Sequence, residues 1–213
     1  MLASINKFTS KIKGKNAKEI KQIIVKRLFP LFYYKEYFLY EEENRTSCSV
    51  SPKLNKIRFM CFFNLNEFEK YIEEEEVALL DFDLNFIQNM FINEAKAFCA
   101  LVERQLVHVT WVALNEKAKS VVEPWPMNID WSTEACWGTA QTNPEFRRTG
   151  LYSCVHAEIV EYLRKIGLKK NIFTVRKSNF PSNQAMSVFH PKVFADGYYI
   201  KFMFWHVRWS IKR

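Results

Sequence analysis

Several features are missing from this 213-residue chain, and each absence excludes a class of protein. No run of about eighteen uncharged apolar residues occurs, which excludes a membrane-spanning helix. The N-terminal residues include lysines but no apolar segment followed by small residues, so we predict no signal peptide. Neither a GxxxxGK[ST] nor a GxGxxG motif is present, which excludes the two common glycine-rich phosphate loops.

Cysteine is present but is not arranged for a metal site or for disulfide bonds. No CxxC pair occurs, and the four histidines do not join the cysteines at ligand spacing. We therefore predict no metal, no disulfide framework and a reducing, cytoplasmic location. The five cysteines are Cys48, Cys61, Cys99, Cys136 and Cys154.

The positive charge of the chain is concentrated at one end. Residues 1–35 contain nine Lys or Arg and one Glu, so the rest of the chain is neutral overall although the net charge is +8. This distribution predicts no specific nucleic-acid binding. Residues 1–30 form a predicted basic amphipathic helix. This helix either packs on the domain or makes a peripheral contact with an anionic membrane surface or a partner, and we favour packing.

The remaining residues, 31–213, predict a single α/β domain, because 48% of the chain is apolar and no linker interrupts it. The pattern predicts strands near 37–41 and 57–63, one or two helices over 66–92, a hairpin of 95–103 and 106–114, a loop over 121–130, a strand over 132–142, a helix from about 150 to 166, a strand over 171–177, a short helix over 183–190, a loop over 191–197 and one long aromatic strand over 198–209. The aromatic strand either belongs to the core, which we favour, or lines an acceptor or acyl pocket with the loop that contains Trp125 and Trp131.

The segment Asn143–His156, "NPEFRRTGLYSCVH", places two arginines where a helix begins. Helix starts carry unpaired N–H groups and partial positive charge, so acidic residues are usual there and arginines favour an anion site. A solvated basic turn is the alternative. A strand before this turn and another after the helix require a parallel crossover, and ligands bind beyond the carboxyl ends of such strands. The apolar face of the predicted helix comprises Leu151, Val155, Ile159, Leu163 and Ile166.

The same segment resembles the pyrophosphate-binding motif Gln/Arg-x-x-Gly-x-Gly/Ala of the GNAT superfamily, the acetyl-CoA-dependent N-acetyltransferases. Arg147 fills the first position and Gly150 the glycine position. The segment "NQAMSVFH" is similar to the family's Asn-containing helix after its fifth strand, "DGYY" is similar to the opening of its next strand, and the hairpin is similar to its second and third strands. The resemblance covers about residues 95–205.

The resemblance implies a mixed, mostly antiparallel sheet that is splayed between the family's fourth and fifth strands, with helices on both faces. It also implies transfer of an acyl group, usually acetyl, from acetyl-CoA to a primary amine of a small molecule or peptide by direct attack. A non-catalytic GNAT-like protein that binds CoA or a partner, in association with a membrane surface in one version, is the alternative.

The residues that the resemblance assigns to CoA lie in three segments. Backbone N–H groups of the turn hold the diphosphate, with the side chain of Arg147 or Arg148 on a phosphate oxygen. Gln141 and Thr142 offer backbone groups to the pantetheine arm. Asn183 either hydrogen-bonds the cofactor or caps a helix. Two departures are Tyr152 in place of Gly or Ala and Arg148 where many members have Gly. The N–H groups of the turn belong to Arg148, Thr149, Gly150, Leu151, Tyr152 and Ser153.

Two residues are candidates for proton transfer. Glu134 shares a predicted strand face with Cys136, Gly138, Ala140 and Thr142, and is either the general base or a solvated residue at the strand start. His190 lies about where relatives place the tyrosine that protonates the departing thiolate, and is either that acid or a loop residue. We predict a structural role for His156.

Overall fold

The computed structural model describes residues 32–44, 51–202 and 204–213. These residues divide into two compact units. The larger comprises 36–44, 51–197 and 209–213, and the smaller comprises 32–35, 198–202 and 204–208. The predicted basic helix over residues 1–30 lies outside the described residues.

Eight strands and five α-helices form from the described residues. The elements in chain order are β1 (Phe32–Glu43), β2 (Ile57–Phe62), α1 (Leu65–Glu74), α2 (Leu84–Ile92), β3 (Lys96–Val102), β4 (Gln105–Ala113), α3 (Glu116–Val122), β5 (Glu134–Thr142), a 3₁₀ turn (Pro144–Phe146), α4 (Leu151–Lys165), β6 (Lys170–Arg176), α5 (Phe180–Ser187), β7 (Lys192–Phe202) and β8 (Trp205–Lys212). None of these helices is long and apolar enough to cross a bilayer.

The strands form one sheet in the order β2-β3-β4-β5-β6-β1-β7-β8. Strands β5 and β6, which flank α4, pair in parallel, as the strand–turn–helix–strand pattern predicts. The pairs β2–β3, β3–β4, β4–β5 and β1–β6 are antiparallel. The sheet is therefore mixed and mostly antiparallel, which confirms the predicted fold class.

Helices lie on both faces of the sheet. On one face, α4 buries Leu151, Val155, Ile159 and Leu163 in a core with Trp137 of β5 and Phe173 of β6. On the other face, the end of α3 lies so close to β5 that a methyl group at Gly138 would be 2.8 Å from the carbonyl oxygen of Val122. Neighbouring residues Trp137 and Gly138 thus contact opposite layers, as strand alternation requires.

A buried polar chain joins the first residues of β5 and β6 to the end of β1. Trp137 Nε1 donates to Asn171 Oδ1 at 2.9 Å, and Asn171 Nδ2 donates to Asn44 Oδ1 at 2.7 Å. Asn44 Nδ2 in turn donates to the carbonyl of Leu168 at 3.0 Å. Because Asn171 is fully buried, its two bonds satisfy side-chain groups that have no access to water. The chain holds this end of the β5–β6 pair closed.

The sequence predictions for the strands and helices up to residue 176 are mostly confirmed, with two corrections. Helix α3 occupies residues for which no helix was predicted, although Asn115 caps it by accepting from the N–H of Ala118 at 2.8 Å. The apolar period of α4 overestimates its buried face, because Ile166 follows the last helical residue and is 46% exposed.

The prediction for the C-terminal residues is wrong in three respects. Residues 192–197, predicted as a loop, begin β7. The glycine in this segment is required by packing, since a methyl group at Gly197 would be 2.5 Å from Leu39 Cδ1 and 2.8 Å from the Trp125 ring. The predicted single aromatic strand is two strands, β7 and β8. Its predicted core character fails at Phe204 and Trp205, which are 91% and 79% exposed.

Candidate active site

The sheet opens between β5 and β6. Only Glu134, Ala135 and Cys136 pair with β6, opposite Lys170–Ile172, although both strands continue for several residues. Thr139 has φ of +50°, and the register between β4 and β5 shifts at this point. A bulge of this kind bends a strand, and β5 diverges from β6 beyond it. The splay that the resemblance implies is therefore present, with Thr139, Ala140 and Gln141 exposed at its edge.

The bulge also corrects the predicted face of β5. Thr139 Oγ1 donates to the carbonyl of Val122 at 3.0 Å, so Thr139 faces α3 together with Gly138. After two consecutive residues on one side, the alternation is shifted by one. Thr142 consequently lies on the α4 side with Trp137, and the prediction that it shares a face with Glu134 and Cys136 is wrong.

Thr142 is held by a buried histidine that was not predicted to matter. The Thr142 hydroxyl lies 2.7 Å from His108 Nδ1, and the Thr110 hydroxyl lies 2.8 Å from Nε2. The imidazole is fully buried, and this burial lowers its pKa to about 3. His108 is therefore neutral at physiological pH, with one nitrogen donating and the other accepting. It fixes the end of β5 that faces the splay.

The two arginines lie at the mouth of the splay. Asn143 Oδ1 accepts from the N–H of Glu145 at 3.0 Å and starts the 3₁₀ turn after β5. Arg147 then donates from Nε to the carbonyl of Thr142 at 3.3 Å, so this side chain lies against the end of β5. Arg148 follows with φ of +64°, a conformation that non-glycine residues seldom adopt. Both arginine residues are exposed.

Gly150 is the N-cap residue before helix α4; it has φ of +88° and offers no side chain to cap the helix. The first N–H groups of α4, from Leu151 to Ser153, have no carbonyl within the helix to bond, so they suit an anion. The left-handed φ is the reason for glycine here. A methyl group at Gly150 would meet only Pro52 Cα at 3.7 Å and Ser51 O at 3.8 Å, both ordinary contacts.

The turn is braced from both sides. Thr149 Oγ1 donates to the carbonyl of Phe146 at 2.6 Å, and the carbonyl of Thr149 accepts from the N–H of Lys53 at 2.9 Å. On the inner side of α4, Ser153 Oγ donates to the carbonyl of Ala185 in α5 at 3.2 Å. The turn is therefore fixed before any ligand binds, which reduces the entropy cost of binding.

Tyr152, which departs from the family motif, does not crowd the turn. Its ring lies 6.1 Å from the His108 ring and 6.0 Å from the Trp137 ring, on the sheet side of α4. Burial raises the pKa of its hydroxyl. Only the backbone of Tyr152 is presented at the turn.

Glu123, which sequence reasoning missed, lies where the strands part. It follows α3 and is only 4% exposed. Thr174 of β6 donates to it from its backbone N–H at 3.0 Å and from its hydroxyl at 2.8 Å. A methyl group at Gly138 of β5 would be 3.0 Å from Glu123 Oε2. Gly138 and Thr174 each lie two residues beyond the last parallel pair, Cys136–Ile172, so the carboxylate lies between the diverging strands.

The predicted base, Glu134, lies at the other end of β5. It pairs in register with Lys170 at the closed end of the β5–β6 pair. Its Oε2 accepts from the N–H of Asp130 at 3.1 Å, which closes the turn before the strand. The structure does not bring Glu134 into the splay, where Glu123 lies. In the sequence, Glu123 stands between the apolar end of a helix and Pro124. This position of a carboxylate was the signal that could have identified it as a functional residue.

Asn183 and His190 line a cleft of about 320 Å³ together with Tyr40, Ser187 and Pro191. Asn183 Nδ2 donates to the carbonyls of Arg176 and Asn179, each at 3.0 Å, and Oδ1 accepts from the Tyr40 hydroxyl at 3.0 Å. The helix cap is Asn179 instead, so the capping alternative for Asn183 is wrong. His190 is exposed and has φ of +52°.

His156 is buried in the larger unit, next to the site. Its Nε2 lies 2.7 Å from Glu42 Oε2, and its ring contacts Trp137 at 4.7 Å between ring centres and Phe189 at 4.4 Å. These contacts join α4 to β1 and β5. They agree with the predicted structural role.

No protein-family model and no curated protein matches this sequence. Solved structures match its fold. An acetyltransferase of the GNAT family from Colwellia psychrerythraea is similar with a TM-score of 0.51 and 11% identity, over 80% of this chain and 57% of that one. A GCN5-related N-acetyltransferase from Sphaerobacter thermophilus is similar with a TM-score of 0.50 and 10% identity, over 92% of this chain and 57% of that one.

A tandem GNAT protein from the clavulanic acid biosynthesis pathway is also similar, with a TM-score of 0.50 and 11% identity, over 84% of this chain and 53% of that one. The chain spans little more than half the length of these three structures. At such low identity the likeness concerns the fold alone. The GNAT resemblance of the sequence is confirmed at that level.

Proposed function

From the GNAT fold, we propose that this protein is a CoA-dependent N-acyltransferase that transfers an acetyl group from acetyl-CoA to a primary amine. The observation that carries the proposal is the splay between β5 and β6, which has an uncapped helix start at its mouth and the buried carboxylate of Glu123 inside it. An extended arm fits such a gap, an anion fits the helix start, and a carboxylate can take a proton from an amine.

In this proposal the diphosphate of CoA binds the N–H groups of Leu151 to Ser153, with Arg147 and Arg148 as cationic partners. The carbonyl of Thr142 already accepts from Arg147, so this carbonyl is directed toward the mouth of the splay and not toward β4. The pantetheine arm pairs with this edge at Gln141 and Thr142. Binding would release Arg147 from Thr142 to reach a phosphate oxygen.

The chemistry is a direct attack. Glu123 removes a proton from the acceptor ammonium, and the amine nitrogen then forms a bond to the thioester carbonyl carbon. The carbon–sulfur bond breaks, and His190 supplies the proton that the CoA thiolate takes up. The nitrogen releases its second proton to solvent, from which His190 regains the proton it gave. The products are an amide and CoA. Glu123 replaces Glu134 as the proposed base because a base must be within hydrogen-bond reach of the proton it removes.

A non-catalytic CoA-binding role is the second candidate. It is favoured by residue 190, an exposed histidine where the resemblance places the tyrosine that protonates the thiolate. The acceptor is a small-molecule or peptide amine in the catalytic proposal. We propose a reducing, cytoplasmic location for either role, consistent with the free thiols of Cys61, Cys99 and Cys136.

Two measurements test the proposal in sequence. Calorimetry with acetyl-CoA and with CoA should show saturable binding of both. A thiol-release assay with a panel of primary amines should then show CoA formation that depends on an amine. Binding without release under any amine supports the non-catalytic role, and absence of binding refutes both candidates.

A further inference from the structure

The tip of the β7–β8 hairpin exposes an unusual amount of aromatic surface. Within the smaller unit, Phe202, Phe204, Trp205 and Val207 are 53%, 91%, 79% and 58% exposed. Soluble proteins expose single apolar residues routinely, but contiguous large ones mark an interaction surface. These four residues are called the aromatic tip.

The charge around the aromatic tip has one sign. From residue 198 to residue 210 the sequence contains Lys201 and Arg208 and no Asp or Glu. Arg213, at the far end of β8, is paired with Asp196, with 2.7 Å between Nε and Oδ2, and does not belong to this charge. Lys201 is exposed beside Phe202, and the guanidinium of Arg208 lies 4.9 Å from the centre of the Tyr199 ring. Aromatic side chains with adjacent cations, in a segment whose sequence has no acidic residue, complement an interface that is apolar inside and anionic outside.

We propose that the aromatic tip inserts into the headgroup region of an anionic lipid bilayer. Trp and Tyr concentrate at membrane–water interfaces, where their apolar rings and polar atoms are both satisfied. Lys and Arg next to them gain from the negative surface potential of the cytoplasmic leaflet. A protein partner would need a shape-complementary pocket for an exposed tip, whereas a bilayer needs none.

This proposal is independent of the proposed catalysis, and it differs from a membrane contact through residues 1–30. The hairpin supplies aromatic rings that insert, and lipid binding should therefore depend on those rings. The contribution of charge should weaken as salt rises, because the Debye length falls from about 10 Å at 0.1 M salt to about 3 Å at 1 M.

The test uses the full chain and large vesicles of phosphatidylcholine with about 30% phosphatidylserine, in flotation assays. We expect the double variant Phe204→Ser/Trp205→Ser to reduce the partition coefficient at least about tenfold, since two interfacial rings are lost. The matched control is Ile92→Ser/Phe180→Ser, which removes side chains that are 65% and 76% exposed elsewhere. This control should partition like the wild type.

A second measurement does not depend on the folding of the serine variants. Vesicles with brominated acyl chains should quench wild-type tryptophan fluorescence, and Trp205→Phe should remove the larger part of that quenching. Trp205 is 79% exposed and Trp209 36%, Trp131 is half-buried, and the other three tryptophans are buried.

Binding that is equal in the wild type and in Phe204→Ser/Trp205→Ser overturns the proposal, as would occur if residues 1–30 bind the vesicles. Absence of wild-type binding overturns it as well. The proposal is also overturned if the wild type binds no lipid but self-associates in sedimentation, and the tip variant does not self-associate.

Discussion

The substitution Glu123→Gln separates the proposed base from its structural role. Both carboxylate oxygens accept from Thr174, one from the backbone N–H at 3.0 Å and one from the hydroxyl at 2.8 Å. In a glutamine of the same shape, the amide oxygen still accepts from the Thr174 N–H. The amide NH₂ group donates to the Thr174 hydroxyl, which changes from donor to acceptor. Replacing charge-assisted bonds with neutral ones should cost about 1–2 kcal/mol in the free energy of unfolding.

The expected effect on catalysis is far larger. Loss of a general base lowers kcat by about 10²–10⁴-fold, and the low-pH limb of the rate profile should disappear because no carboxylate remains to be ionised. Thiol release measured from about pH 5 to pH 9 reports both quantities. Calorimetry with CoA should give an unchanged Kd, since Glu123 acts on the acceptor amine and not on the cofactor.

Glu134→Gln is the matched control, because it removes the same charge at the closed end of the β5–β6 pair, outside the splay. Its amide oxygen can still accept from the N–H of Asp130, as Oε2 does now at 3.1 Å. We expect kcat within about threefold of wild type. If Glu134→Gln loses the low-pH limb and Glu123→Gln keeps it, the sequence-based choice of base is right and the assignment to Glu123 is refuted.

Three further outcomes are expected. Arg147→Ala should weaken CoA binding by about 1–3 kcal/mol in calorimetry, the scale of a lost charge-assisted hydrogen bond, while the remote surface variant Arg104→Ala should not; equal affinities would remove Arg147 from the diphosphate site. His190→Phe should slow thiolate departure with little change in Kd for CoA, and a loss in kcat below about threefold would leave His190 a loop residue. The buried His108 has its pKa lowered from 6.5 to about 3 by desolvation, so below pH 6.5 the unfolded state binds more protons and the free energy of unfolding should fall toward pH 3 by up to about 1.4 kcal/mol per pH unit. Denaturant titrations across that window should show a shallower slope for His108→Asn than for the exposed control His206→Asn, and parallel slopes would contradict the burial argument.

Local sequence determined much of this protein. Helix α4 is predictable because apolar residues recur with a period of about 3.6 residues over a continuous segment from Leu151 to Leu163. Its start is predictable as well, since Gly150 must adopt a φ of +88° that other residues avoid. The crossover from β5 to β6 follows from the order strand, turn, helix, strand. Two parallel strands joined in this way are connected by a right-handed crossover. These are rules about residues that are near one another in the chain.

The tertiary structure decided the face on which each β5 side chain lies. Strand alternation predicts one face for Glu134 and Thr142, but the bulge at Thr139 shifts the alternation by one residue. No residue type in β5 predicts this bulge. The bulge forms where β5 pairs with β4 and bends away from β6, so it depends on the neighbouring strands. A one-residue shift exchanges the two faces completely, so prediction of the later part of the strand fails.

The same reason explains why the sequence pointed to Glu134 and the structure to Glu123. Glu134 is in a recognisable strand, whereas Glu123 gains its position from Thr174, which is 51 residues away in the chain, and from Gly138. Local period determines whether a segment is a helix or a strand, because the backbone bonds of a helix and the alternation of a strand involve near neighbours. The environment of a buried carboxylate depends on which distant segments enclose it, and only the packed fold determines that.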